Sequence, residues 1–172
     1  VTEFIRREFA VQDSGKSTTI RQDEAPARPG EGGRAFYIIG LSGSGKSAVA
    51  AFLARELGLP ARELPLEAPD EALSAILAEG PAVVAVPHKL LASEGFRQRL
   101  QQTGRVLYLM AGAETIAART AASPEEEARV RAALGRQRTA FEPLFMQTLH
   151  LLVPADAPLA EVQADALERV RM

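Results

Sequence analysis

Cysteine, tryptophan and asparagine are missing from these 172 residues, and histidine occurs only twice. Without cysteine the chain can form no disulfide framework, thiolate nucleophile or zinc–thiolate centre. His88 and His150 stand too far apart in sequence for a local His-rich metal motif. Long apolar runs are missing too. None approaches the ~20 residues that span a bilayer, and the run over 81–87 (PAVVAVP) has the length of a strand. Residues 1–20 lack the basic-then-apolar order of a secretory signal, so a cytoplasmic protein with no membrane partner is the expectation. Neither sign of charge dominates: 20 basic against 22 acidic residues leave −2, which exerts no general pull on nucleic acid.

What remains is enough for one ordinary domain. A composition of 47% hydrophobic and 24% charged residues is that of a globular chain able to bury a full core. The chain divides near residue 34. Residues 1–33 are mostly polar and end in a linker-like stretch, 25–33 (APARPGEGG). Their clustered apolar residues, Phe4, Ile5, Phe9 and Val11, are too few for a core. The expectation is an N-terminal tail and linker over 1–33, docking one short segment at most, and a folded domain over 34–172.

From residue 35 the pattern alternates strand and helix. Residues 35–40 (AFYIIG) read as a buried strand. Residues 46–57 follow as a helix with Val49, Phe52, Leu53 and Leu57 on one face, stopped by Gly58 and Pro60. A short edge strand is expected near 62–66, weakened by Pro65. Asp70 is the expected cap of a helix with Leu73, Ile76 and Leu77 inward, ended by Gly80 and Pro81. Residues 82–86 and 105–110 are further clear strands, separated by a helix capped by Ser93 and closed by Gly104. A short helix over 114–121 precedes Ser123-Pro124-Glu125-Glu126-Glu127, a strong helix start running toward Thr139. A strand over 149–153, with His150 inside it, and an amphipathic helix over 158–170 close the chain. Such alternation implies an α/β fold with a parallel sheet covered by helices on both faces.

One motif carries chemistry. Gly40-Leu41-Ser42-Gly43-Ser44-Gly45-Lys46-Ser47 matches G-x-x-x-x-G-K-[ST], with a strand before it and a helix after it. Glycines let successive backbone N–H groups curl inward onto phosphate oxygens, and the helix start at Lys46, Ser47 and Ala48 adds its positive dipole end. Lys46 is placed to reach the β- and γ-phosphates, and the Ser47 hydroxyl to ligate Mg²⁺. A second fragment, Asp13-Ser14-Gly15-Lys16-Ser17-Thr18, imitates the end of the motif, but Ala10 replaces its first glycine and it reads as a polar loop. A chain without asparagine cannot supply the Asn-Lys-x-Asp element of GTPases. Neither clear strand after the motif ends in the Asp of motor-type ATPases. Small-molecule and nucleotide kinases remain.

Residues 40–60 (GLSGSGKSAVAAFLARELGLP) resemble the opening of the shikimate kinases, and the resemblance continues through 81–91, 103–120 and 136–153. It implies a P-loop kinase fold whose five-stranded parallel sheet takes its fifth strand from the family pattern. It also implies ATP and Mg²⁺, a small-molecule acceptor and a monomer or weak oligomer. Glu63 stands where the family holds a magnesium-bound water, and Arg119 matches the arginine that lies over adenine. Arg138 lies near the place of a late substrate-side arginine and is the expected catalytic partner of Lys46; Arg129, Arg131 and Arg136 are its neighbours. The departures are local. Pro65 replaces the Asp that touches the acceptor hydroxyl, Pro87-His88-Lys89 replaces a triple glycine, and no lid motif follows Thr120. His88 and Lys89 are therefore the expected acceptor-side residues, just beyond a strand's C-terminal end. Three functions stay open: shikimate phosphorylation, phosphorylation of another acceptor on the same fold, and ATP binding without transfer.

Overall fold

A computed structural model describes residues 35–172. The expected tail and linker over 1–33, with the motif-like fragment at 13–18, lie outside the described residues.

Strand β1 (Ala35–Gly40) leads into helix α1 (Lys46–Leu57), whose buried face is Val49, Ala50, Leu53 and Ala54. Phe52 sits at the margin of that face beneath the Arg55 guanidinium, 5.4 Å from the ring centre. The chain then forms β2 (Ala61–Glu63), α2 (Pro69–Glu79) and β3 (Ala82–Ala85). β2 is shorter than the expected 62–66 because Pro65 has no N–H to offer a neighbour, and Leu66 is left exposed. Asp70 does not cap α2. Ala68 occupies that position, Pro69 opens the helix, and the Asp70 carboxylate instead meets Arg99 at 3.1 Å.

A 3₁₀ turn (His88–Ala92) joins β3 to α3 (Glu94–Thr103), where the Ser93 hydroxyl accepts from the Phe96 N–H as its spacing predicts. β4 (Arg105–Met110), α4 (Ala113–Thr120), α5 (Pro124–Thr148), β5 (Leu151–Pro154) and α6 (Leu159–Arg171) complete the order. The Ser123 cap is present, its hydroxyl accepting from the Glu126 N–H. Helix α5 does not stop near Thr139 but continues through Pro143. Proline there removes one bond to Thr139, an exposed residue, so the break costs less than it would inside the core. His150 precedes β5; its Nδ1 accepts from the Val106 N–H at 2.9 Å, a structural role.

The sheet is wholly parallel, in the order β2-β3-β1-β4-β5, with Ile38 of β1 opposite Ala85 on one side and Leu107 on the other. α1 and α6 cover one face, and α3 and α5 pack on β4 from the other. The connection leaving β1 runs toward β2 and that leaving β3 runs toward β4. These opposite departures open a crevice at the C-terminal ends of β1 and β3.

Tyr37, Tyr108 and Phe145 are the largest fully buried side chains. Tyr37 shares a 2.7 Å hydrogen bond with Thr103, whose successor Gly104 has no room for a side chain. A Cβ at Gly104 would overlap the Ala35 carbonyl and lie 2.9 Å from the Tyr37 ring. Gly104→Ala is therefore expected to cost about 2 kcal/mol of stability, the range of overpacked cores. Urea unfolding measures it, and an unchanged midpoint would show that the α3–β4 corner yields freely.

Candidate functional site

The site grows from the end of β1. This strand is buried on both faces, so Gly40 is delivered to a fixed point and the chain must turn within the next five residues to start α1. The turn closes with the Ser44 N–H on the Leu41 carbonyl at 3.1 Å. Gly43 takes φ +77°, and a Cβ there would stand 2.8 Å from Ile116 of α4; both facts require glycine. Ser44 is buried beneath the loop, facing Gly40, and its hydroxyl finds no partner among the described residues. Gly45 precedes α1 and supplies no side-chain cap. The first intrahelical bond runs from Val49 N–H to the Gly45 carbonyl at 2.9 Å, which leaves the amides of Lys46, Ser47 and Ala48 free for an anion.

Lys46 folds back over this turn. Its ammonium donates to the Gly40 carbonyl at 3.0 Å and the Leu41 carbonyl at 2.9 Å. Burial pushes its pKa down to about 8, opposed by the Glu63 carboxylate. Before the loop opens a cavity of about 590 Å³, lined by Ser42, Gly43 and Gly45–Ala48, by Glu63 and Leu66, and by 85–89. It occupies the crevice that the strand order creates.

The structure brings most of the expected residues together there. Ser47 and Glu63 share the cavity and also line a smaller hollow of about 190 Å³ behind it. One hydroxyl and one carboxylate are hard oxygen donors, a set that suits Mg²⁺, which keeps waters and phosphate oxygens for its other positions. His88 and Lys89 form the opposite wall. Burial, then the charges of Lys46 and Lys89, lowers the His88 pKa, so the ring is neutral near pH 7. Its Nδ1 stands 3.4 Å from the Ser42 hydroxyl.

Two expected residues lie elsewhere. Arg119 holds the β5–α6 turn, donating to the carbonyls of Ala155, Asp156 and Ala157 at 3.2, 3.2 and 2.6 Å. Arg138 is not brought to the loop. Glu142, one helical turn along, takes its guanidinium in two bonds of 2.9 and 3.1 Å, and Arg138 lines a separate cavity of about 450 Å³ with Arg131 and Asp156. Arg129 and Arg136 are exposed on α5.

One residue at the site carried no sequence signal. Gln137, on α5, accepts the Ser42 N–H at 2.9 Å through its Oε1. Its spacing of four from Phe141, whose ring meets His88 edge-on at 4.8 Å, becomes informative only once α5 is known to cross the loop.

No protein-family model and no curated protein matches the chain. Solved structures do. Shikimate kinase from Acinetobacter baumannii, in complex with shikimate, aligns with TM-score 0.64 at 18% identity, over 85% of this chain and 94% of that one. The chain has the fold of the shikimate kinases. The enzyme from Bacteroides thetaiotaomicron aligns with TM-score 0.61 at 15% identity, over 80% of this chain and 96% of that one. A gluconokinase from Sinorhizobium meliloti aligns with TM-score 0.53 at 21% identity, over 84% and 93% of the two chains. The P-loop kinase fold, with its five parallel strands, is thereby established.

Two outcomes follow from Lys46. Lys46→Ala is expected to abolish binding of a fluorescent ATP analogue without lowering the unfolding temperature, because removing this buried charge relieves the chain of its desolvation. Retained affinity would remove Lys46 from the site. In the wild type, affinity for the analogue is expected to be level near pH 7 and to fall as pH rises through about 8. Above that pH the free protein has lost the proton that phosphate binding requires, so the fall approaches about tenfold per pH unit. Constant affinity up to about pH 9 would show that the ammonium keeps its proton.

Proposed function

We propose that this chain is an ATP-dependent phosphotransferase acting on a small hydroxylated acceptor, with shikimate as the named candidate. The observation that carries the reading is the meeting of a free helix N-terminus, Lys46 and Ser47 with Glu63, His88 and Lys89 around one cavity. Phosphoryl transfer asks mainly for positioning and charge neutralisation. The free amides of Lys46, Ser47 and Ala48 and the Lys46 ammonium would take the phosphate charge. Ser47 and Glu63 would hold Mg²⁺, which draws further charge from the phosphate oxygens. Arg119 steadies the turn after β5, where the adenine would rest against it. The Lys89 ammonium would orient an acceptor by its polar groups, while Leu66 offers an apolar wall.

A second acceptor is favoured by one observation: the cavity is lined by Leu66, Pro87, His88 and Lys89, and among the described residues no arginine lines it. Such walls suit a polyhydroxy acid held by one ammonium, and gluconate is the acceptor to compare because a gluconokinase shares the fold.

The deciding experiment is calorimetric titration of shikimate, then gluconate, into protein saturated with Mg²⁺ and a non-hydrolysable ATP analogue, followed by a coupled assay of ADP release. Binding and turnover with shikimate is the expected result. Turnover with gluconate alone would reassign the acceptor. Nucleotide binding with no turnover of either would favour a protein that binds ATP without transfer.

A further inference from the structure

Helix α5 reaches the phosphate-binding loop at one point. The Ser42 N–H lies in the first turn of the loop, at the end away from the helix start, and it donates to Gln137 Oε1 at 2.9 Å. The same residue's hydroxyl stands 3.4 Å from His88 Nδ1, and the His88 ring is braced by Phe141, one turn along α5 from Gln137. Ser42 and His88 both line the cavity, so this end of the loop faces the acceptor wall. On the nucleotide reading, phosphates on the free amides of Lys46, Ser47 and Ala48 would be the inner ones of the chain, and the terminal phosphate would extend toward Ser42 and His88.

We propose that Gln137 distinguishes ATP from ADP by occupying the loop amide that the terminal phosphate requires. The inference rests on the nucleotide reading above and deepens it. The neutral carboxamide satisfies the Ser42 N–H. An anionic phosphate oxygen makes the stronger, charge-assisted bond to the same N–H and displaces it. A diphosphate does not reach Ser42, so Gln137 stays in place. Because Gln137 and Phe141 share α5 and the Phe141 ring meets His88, the displacement is felt on the acceptor wall when the third phosphate is present.

The test compares affinities of a non-hydrolysable ATP analogue and of ADP, both with Mg²⁺, for the wild type, Gln137→Ala and Gln137→Glu. Gln137→Ala frees the amide and is expected to tighten the ATP analogue about threefold to tenfold, the worth of one hydrogen bond, with ADP nearly unchanged. Gln137→Glu places a carboxylate against the terminal phosphate and is expected to weaken the ATP analogue about tenfold, with ADP much less affected. In a ¹⁵N spectrum the Ser42 amide should move on adding the analogue and stay on adding ADP. Variants that change both nucleotides equally, or neither, while the wild type binds both, overturn the role of Gln137 and leave the nucleotide site standing. A wild type that binds neither nucleotide overturns both readings.

Discussion

The turn from β1 into α1 is the constraint on which the rest of the structure depends. β1 lies between β3 and β4, hydrogen-bonded on both sides, so the position of Gly40 is set by the whole sheet. A helix beginning a few residues later must point its unsatisfied amides into the crevice above the strand ends. Other helices then abut the short turn that results. Gly43 meets Ile116 of α4, Gly45 approaches Leu159 of α6, and Ser42 is bonded to Gln137 of α5. Each contact comes from a different part of the chain, which is why so small a loop can be held in a conformation that leaves its own donors free.

Local electrostatics at this loop run against the character of the molecule as a whole. The chain is slightly acidic, yet the loop concentrates free N–H groups, a helix N-terminus and Lys46. Burial lowers the pKa of both Lys46 and His88, so their positive charge is lost at lower pH than their residue types imply. The buried ammonium rests meanwhile on the Gly40 and Leu41 carbonyls, which limits its desolvation. An incoming phosphate offers it a full opposite charge in place of two dipoles. The loop is thus satisfied enough to fold and poised to exchange its partners.

Helix α5 meets both the loop and the turn after β3. Residues 121–123 are all that separate α4 from α5, which leaves no length for a lid between them. A continuous helix of 25 residues instead touches the loop through Gln137 and the turn after β3 through Phe141. One of its edges presents Gln137 and Phe141 to Ser42 and His88. The next presents Arg138 and Glu142, paired with each other and turned toward Asp156 and a second cavity.

Much of this was legible in the chain itself, where local chemistry decides the outcome. The strands 35–40 and 105–110, the caps Ser93 and Ser123 and the glycine turn before Lys46 depend on neighbouring residues, and each appears as its sequence implies. Short-range reasoning failed where a distant partner competed. Asp70 reads as a cap but meets Arg99 instead, and the helix expected to run only toward Thr139 continues through Pro143 to Thr148. By itself the sequence determined the alternation of strand and helix and the residues able to grip a phosphate, because periodicity and the glycine-lysine-serine spacing are properties of contiguous chain. Only the tertiary structure decided that Glu63, His88 and Lys89 face that grip, that Arg138 is turned away and that Gln137 touches it. Those facts follow from strand order and from the packing of α5 against β4 and the turn after β3, which no run of neighbouring residues encodes.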